Sequence, residues 1–163
     1  MSGGLPDSTF SKWLRSELVL PALAATSASG VLDEIAAGVS RAVTETSAAA
    51  IRSGFLEREA LGSTAVGNGF AIPHCRVAGA SRVHMAVASH PVGVDFEAPD
   101  GTPVKVFFAI VAPQSGAAGH LEALATVARF LREPERRDLL LQARGSQELI
   151  AALRAGAGEA SHA

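Results

Sequence analysis

The stretch Gly67–Val77, GNGFAIPHCRV, runs from a glycine-spaced loop through three apolar residues to one histidine placed directly after a proline. Glycine admits backbone geometries closed to other residues, and proline fixes its own φ at about −65°. The pattern predicts a short strand that delivers the imidazole of His74 to a defined place at its end. A neutral imidazole is a nucleophile, and an ordinary pKa of roughly 6.5 leaves most of it neutral near pH 7. The same pattern also suits a histidine in a plain strand-end turn.

Three other residues could share a site with it. Arg58 lies in line with Ile51 and Phe55 on one helical face, near that helix's predicted end. Its guanidinium either snorkels outward to meet the last carbonyls or points along the core's edge into a cleft. Asn68 follows ten residues later, between Gly67 and Gly69, with Gly62 also breaking the path. A helix end and a glycine loop can therefore bring the two side chains together. His120 opens a predicted helix, where unpaired N–H groups and the helix dipole favour an anion.

The remaining chemistry-bearing residues read as structural. Cys75, the single cysteine, can form no internal disulfide and has no partner for a zinc site, so it reads as a small buried filler. His84 and His90 have no ligand-spaced partners, which points to surface or sheet-edge roles. Asp95, Glu97 and Asp100 read as solvated turn residues rather than a metal site. GNGFAI is not GxGxxG, and GxxxxGK[ST] is absent, so residue type excludes a nucleotide-binding loop.

The elements that must hold these residues follow from periodicity. The chain of 163 residues suits one domain, with a loose start over residues 1–12, a folded unit over 13–154 and a loose tail over 155–163. Trp13–Leu23 lacks a clean period, and Pro21 makes it an edge strand or an irregular lead-in. Ser27 or Ser29 caps a helix whose inner face is Leu32, Ile35, Ala36, Val39 and Val43. A second helix starts near Thr46 or Ser47 and ends at about Ala60. His84–His90 is a strand, Val92–Phe96 continues the sheet edge, and Pro99-Asp100-Gly101 is a turn. Val104–Ala112, VKVFFAIVA, is nearly all apolar, as a central strand covered on both faces should be. A loop over Pro113–Gly119 leads to a helix with Leu121, Leu124, Ala125, Ala128 and Leu131 inward. Helices over Glu133–Ala143 and Ser146–Leu153 follow, the second capped by Ser146. Helices around one sheet make an α/β or α+β domain.

Net charge is −2, from 14 basic and 16 acidic residues that intermix, which excludes the basic stripe of a nucleic-acid binder. No apolar run reaches the roughly 18 residues of a membrane span, and the start lacks the pattern of a secretory leader. The expectation is a soluble, cytoplasmic protein without membrane insertion.

Two blocks, LEREALGSTAVGNGFAIPH and GHLEALATVARFL, resemble the fructose/mannitol-type enzyme IIA family of the bacterial phosphotransferase system. The likeness is strongest to its stand-alone, nitrogen-regulatory branch and covers about residues 16–154. It implies a mixed β-sheet flanked by helices, with His74, the histidine of the IPH motif, as the phosphorylated residue. It also implies that His120 lies close by and donates a hydrogen bond to the phosphoryl group. Phosphoryl transfer rests on positioning and on donors that meet the equatorial oxygens, so it suits a nucleophile (His74), a cation (Arg58) and neutral donors (Asn68). Neither a metal nor a cofactor is required. The implied donor is a histidine-containing phosphocarrier protein, docking on an apolar rim to which Phe70, Ile72 and Val77 would belong if exposed.

Two outlets stay open. The phosphorylation state could control regulatory target proteins, or the group could pass to the cysteine of a separate enzyme IIB during sugar uptake. The chain shows no IIB-like or membrane segment, and STAVGNGFAIPH favours the regulatory branch. An interaction module that no longer exchanges phosphate sits poorly with the joint presence of Arg58, Asn68, His74 and His120. A hydrolase using the two histidines lacks a positioned nucleophile with an acid partner.

Overall fold

After an irregular lead-in, Val19–Leu20 forms a two-residue strand, β1. Two helices follow, each begun by a serine side chain that satisfies one of the free N–H groups of the first turn. Ser27 accepts from Gly30 N at 3.1 Å to open α1, Ala28–Ala42. Ser47 accepts from Ala50 N at 3.1 Å to open α2, Ala48–Ala60. The expected inner faces are the observed ones, with Leu32, Ile35, Ala36, Val39, Val43, Ile51 and Phe55 all buried. The computed structural model describes residues 8–162.

Strands β2 (Ala65–Gly67), β3 (Phe70–Ala71), β4 (His74–Val77), β5 (His84–Val94) and β6 (Val104–Pro113) complete the sheet. Its order is β1-β5-β6-β3-β2, and β4 also pairs with β6. β5 runs antiparallel to β6, whereas β3 and β4 run parallel to it. The sheet is therefore mixed. Helices α3 (Ala117–Phe130), α4 (Pro134–Gln142) and α5 (Gly145–His162) close the chain.

β6 is the axis of the core. Phe107 and Phe108 point to opposite faces of the strand, yet both are fully buried, so both faces are covered. Phe108 meets Phe10 and Phe130 at ring-centroid distances of 5.4 and 6.4 Å. Phe107 meets Phe96 at 5.3 Å on the other side.

Four expectations are corrected. Residues 8–12 are not loose, because Phe10 is fully buried against Phe108 and Phe130 and anchors the chain there; residues 1–7 lie outside the described residues. α5 runs through the stretch expected as a loose tail, and Ser146 lies inside it rather than capping it. α3 is rotated about its axis relative to the expected face. Ala123, Thr126, Val127 and Phe130 face the core; of the expected residues Leu131 is buried and Leu124 packs against the core, while Leu121, Ala125 and Ala128 are exposed. Phe130 decides this orientation through its buried area, and Thr126 is tolerated inside because its hydroxyl donates to Glu122 O at 2.8 Å.

The fourth concerns the strand carrying the histidine. It does not end at His74 but resumes there. Ala71 pairs with Phe107 and His74 with Ile110, so the advance is equal on both strands and register is kept across Ile72-Pro73. Pro73 has no N–H for the ladder, but its carbonyl accepts from Ile110 N at 2.9 Å. The histidine thus stands at a break within a strand held on both sides.

Candidate functional site

Arg58 belongs to the last turn of α2. Its Nη1 donates to Gly62 O at 2.9 Å, which turns the guanidinium back over the helix end. Its Nε donates to His74 Nε2 at 3.2 Å. Of the two orientations open to it, the inward one is adopted.

The ring of His74 is fixed from its other side. Nδ1 lies 2.8 Å from Ile72 O, and a carbonyl can only accept, so Nδ1 carries the hydrogen. Nε2 therefore keeps its lone pair, as its acceptance of the Arg58 N–H independently requires. Burial lowers the pKa of His74, the Ile72 bond opposes that, and the Arg58 charge lowers it again. The residue is neutral at pH 7, with the Nε2 electron pair unprotonated and met by the Arg58 N–H.

His120 lies in the first turn of α3, its ring centroid 5.3 Å from that of His74 at an interplanar angle of 69°. It is only 6% exposed. Burial, then the neighbouring His74 and Arg76, push its pKa down to about 4, so it too is neutral. Its Nε2 is buried and has no hydrogen-bond partner among the described residues. A buried polar nitrogen left unpaired is uncommon and asks for a partner that arrives later.

Asn68 stands apart. Its side chain is exposed, its φ of 60° is left-handed, and its N–H donates to Asp100 Oδ2 at 2.8 Å. It lines a cleft of about 280 Å³ with Phe70, Ile72, Ala128, Arg132 and Arg137, to which Arg58, His74 and His120 contribute nothing. The structure brings Arg58, His74 and His120 together and shows no hydrogen bond from Asn68 to any of them.

The condition set for the apolar rim is not met. Phe70, Ile72 and Val77 are buried in the core, at 0%, 7% and 3% exposure. Leu61 and Leu121 are the exposed apolar residues beside the site-bearing elements. His84 and His90 are buried rather than superficial. His84 Nε2 lies 3.3 Å from Glu45 Oε1, and His90 Nε2 2.8 Å from Ala25 O. Cys75 is the expected buried filler, its thiol pushed up to about 12 by burial. Among the described residues no cluster of three or more His, Cys, Asp or Glu could hold a metal ion.

Sequence reasoning missed three participants. The carbonyls of Gly62 and Ile72 leave no trace in side-chain identity. Arg76 was legible: it lies two residues beyond His74 on β4, hence on the same face, and its charge bears on His120.

Comparison with known proteins agrees with this architecture. Residues 12–156 match the family model described as phosphoenolpyruvate-dependent sugar phosphotransferase system, EIIA 2. The chain is similar to a nitrogen regulatory protein of Pseudomonas aeruginosa, 40% identical over 73% of this chain and 77% of that one. A nitrogen regulatory protein of Bradyrhizobium diazoefficiens is 37% identical over 84% of this chain and 89% of its own. The crystal structure of nitrogen regulatory protein IIA-Ntr from Neisseria meningitidis superposes with a TM-score of 0.80 at 30% identity, covering 87% of this chain and 97% of that one. A mixed sheet on which a tautomer-fixed histidine faces an arginine and a second histidine thus belongs, with the chain that builds it, to the EIIA type 2 family of the phosphoenolpyruvate-dependent sugar phosphotransferase system.

Proposed function

We propose that this protein is a phosphoryl carrier of the nitrogen-regulatory kind, which takes a phosphoryl group on His74 Nε2 from a histidine-containing phosphocarrier protein. The observation that carries the reading is the tautomer: Ile72 O holds the hydrogen on Nδ1, leaving Nε2 as the nucleophile. The Nε2 electron pair forms the new N–P bond as the donor's P–N bond breaks, and the donor's ring nitrogen keeps that pair. Arg58 Nε, now bonded to Nε2, has to move from the nitrogen to the phosphoryl oxygens, where a guanidinium binds well. His120, neutral and with Nε2 unpaired, supplies a further donor as charge arrives. Asn68 makes no hydrogen bond to Arg58, His74 or His120 before phosphorylation. A role for it would require the phosphorylated or docked state.

The exposed face of α3, with Leu121 at 61% exposure followed by Ala125 and Ala128, starts beside His120 and suits an apolar partner surface. Regulation through target proteins is the favoured outlet, since the relatives at 40% and 37% identity are nitrogen regulatory proteins. Onward transfer to an enzyme IIB cysteine would use the same nitrogen.

Incubation with phosphoenolpyruvate, the general phosphotransferase enzyme and the phosphocarrier protein should add one phosphate, acid-labile and alkali-stable as a phosphoimidazole is. His74→Ala should abolish it. Labelling that persists in this variant would move the site elsewhere.

A further inference from the structure

Of the two carbonyls that hold Arg58 and His74, Gly62 O belongs to segment 62–64, and Ile72 O to a strand residue kept in register along β6 that also bonds to that segment. Arg58 is tied to Gly62 O. His74 Nδ1 is tied to Ile72 O, and the Ile72 N–H donates to Thr64 O at 3.0 Å. Segment 61–64 follows the end of α2, contains a glycine at φ 144°, and has Leu61, Gly62 and Ser63 exposed. The Gly62 N–H donates to Glu59 O at 3.0 Å and the Ser63 hydroxyl to Phe96 O at 2.5 Å, which hold its first half. One side chain holds Thr64 itself. Glu59, in the last turn of α2, accepts from Thr64 N at 3.0 Å with Oε2 and from the Thr64 hydroxyl with Oε1. Both carboxylate oxygens are engaged on one residue, which stops rotation as well as translation.

We propose that Glu59 is a positioning residue for phosphoryl acceptance: by clamping Thr64 it fixes the two backbone acceptors that aim the Arg58 guanidinium and hold His74 in the tautomer with Nε2 free. The proposal rests on the phosphoryl-carrier reading for its kinetic consequence only. The tautomer it predicts is measurable without any transfer. A clamp worth having here has to resist a small displacement, because misplacing a reacting atom by about 1 Å can cost on the order of a hundredfold in rate. The negative charge has a separate effect, since it pulls the pKa of His74 upward against burial.

The test compares wild type with Glu59→Gln, Glu59→Ala and Thr64→Val. Ring-nitrogen NMR of ¹⁵N-labelled protein reads the His74 tautomer and pKa, and single-turnover transfer from the labelled phosphocarrier protein reads the rate. Wild type should show one tautomer, protonated at Nδ1. Glu59→Ala should show a mixture of both tautomers and a rate lower by about tenfold or more. Glu59→Gln keeps an acceptor oxygen for Thr64, so it should retain the tautomer and recover part of the rate, while its His74 pKa falls because the charge is gone. Thr64→Val, which keeps the N–H but loses the hydroxyl, should fall between wild type and Glu59→Ala. A folded Glu59→Ala protein with a single Nδ1-protonated tautomer and a rate within about twofold of wild type would overturn the proposal. Should Glu59→Ala fail to fold, Thr64→Val decides, and a single Nδ1-protonated tautomer with a rate within about twofold of wild type in it counts against the clamp. Wild type that takes no phosphate refutes the carrier reading, while the tautomer comparison still judges Glu59.

Discussion

At the scale of single residues, the site separates two histidines by what each ring nitrogen is doing. His74 has both nitrogens engaged and offers a lone pair; His120 has a buried Nε2 with nothing to bond. His120→Ala should therefore still be phosphorylated on His74, but more slowly. Losing one preorganised donor costs up to about a hundredfold to a thousandfold in a well-built oxyanion site, an upper guide for this one. His120→Gln restores a donor and should recover part of the rate in single-turnover transfer. A phosphate recovered from His120 in wild type would reverse the assignment. The pH profile follows from the same surroundings. With its pKa lowered, His74 stays neutral further into acid than a free imidazole. The acceptance rate should hold steady as pH falls to about 6.5 and decline only below it. A decline centred above 6.5 would mean that the neutral ring is not the nucleophile, or that the donor protein limits the rate.

At the scale of elements, α2 and β4 meet through an absence. A Cβ added at Gly54 would lie 2.8 Å from Cys75 Cβ and 3.0 Å from Cys75 Sγ. Alanine there gains roughly 1 kcal/mol of helix propensity, but overpacking typically costs about 1–3 kcal/mol. The neighbour is the residue after His74 and sits on a paired strand, so it yields little. Gly54→Ala should thus be net destabilising in denaturant melts and should slow phosphoryl acceptance by displacing α2, which bears Arg58. A gain in stability would show that the helix shifts freely. These elements also show what the sequence could reveal. α1 and α2 were legible because a serine cap and a clear period agreed, and β6 because an unbroken apolar run has few other homes. α3 was misread because it carries two apolar stripes, and which one turns inward is settled by whether Phe130 reaches Phe108 across the sheet. Of the site, side-chain identity reveals His74, Arg58 and His120. The carbonyls that aim them depend on a backbone path that no residue type announces, and Asn68 was eligible as an amide donor on a glycine loop ten residues from Arg58.

At the scale of the molecule, the core is closed by its first described residues. Phe10 and Leu14 are fully buried, and Trp13 O accepts from Met85 N at 3.1 Å. Phe10→Ala should cost about 3–5 kcal/mol, as removing a buried aromatic from a packed cluster does. A loss below about 1 kcal/mol would mean that this segment lies on the core without completing it. Acid should also loosen the fold as a whole. His120 titrates at about 4 in the folded state against an ordinary 6.5, so the unfolded chain binds the proton first. Its contribution is fully present above about pH 6.5 and is lost as pH falls from there through 4. His120→Gln should be less sensitive across that window in thermal melts, and an equal sensitivity would assign the loss to other groups.

The strand that resumes at His74 in unbroken register has a consequence for how a message could leave this protein. A residue pinned to a central strand on both sides cannot report its own modification by melting or hinging the backbone that bears it. Amide hydrogen exchange at Cys75 and Val77 should be as slow in the phosphorylated protein as in the free one. What changes is the electrical face of the molecule: a formal net charge of −2 gains up to about two more negative charges at one spot beside an apolar helix face. A partner would read the state as attraction or repulsion at a rigid surface, and raising the ionic strength should blur the distinction without altering the fold.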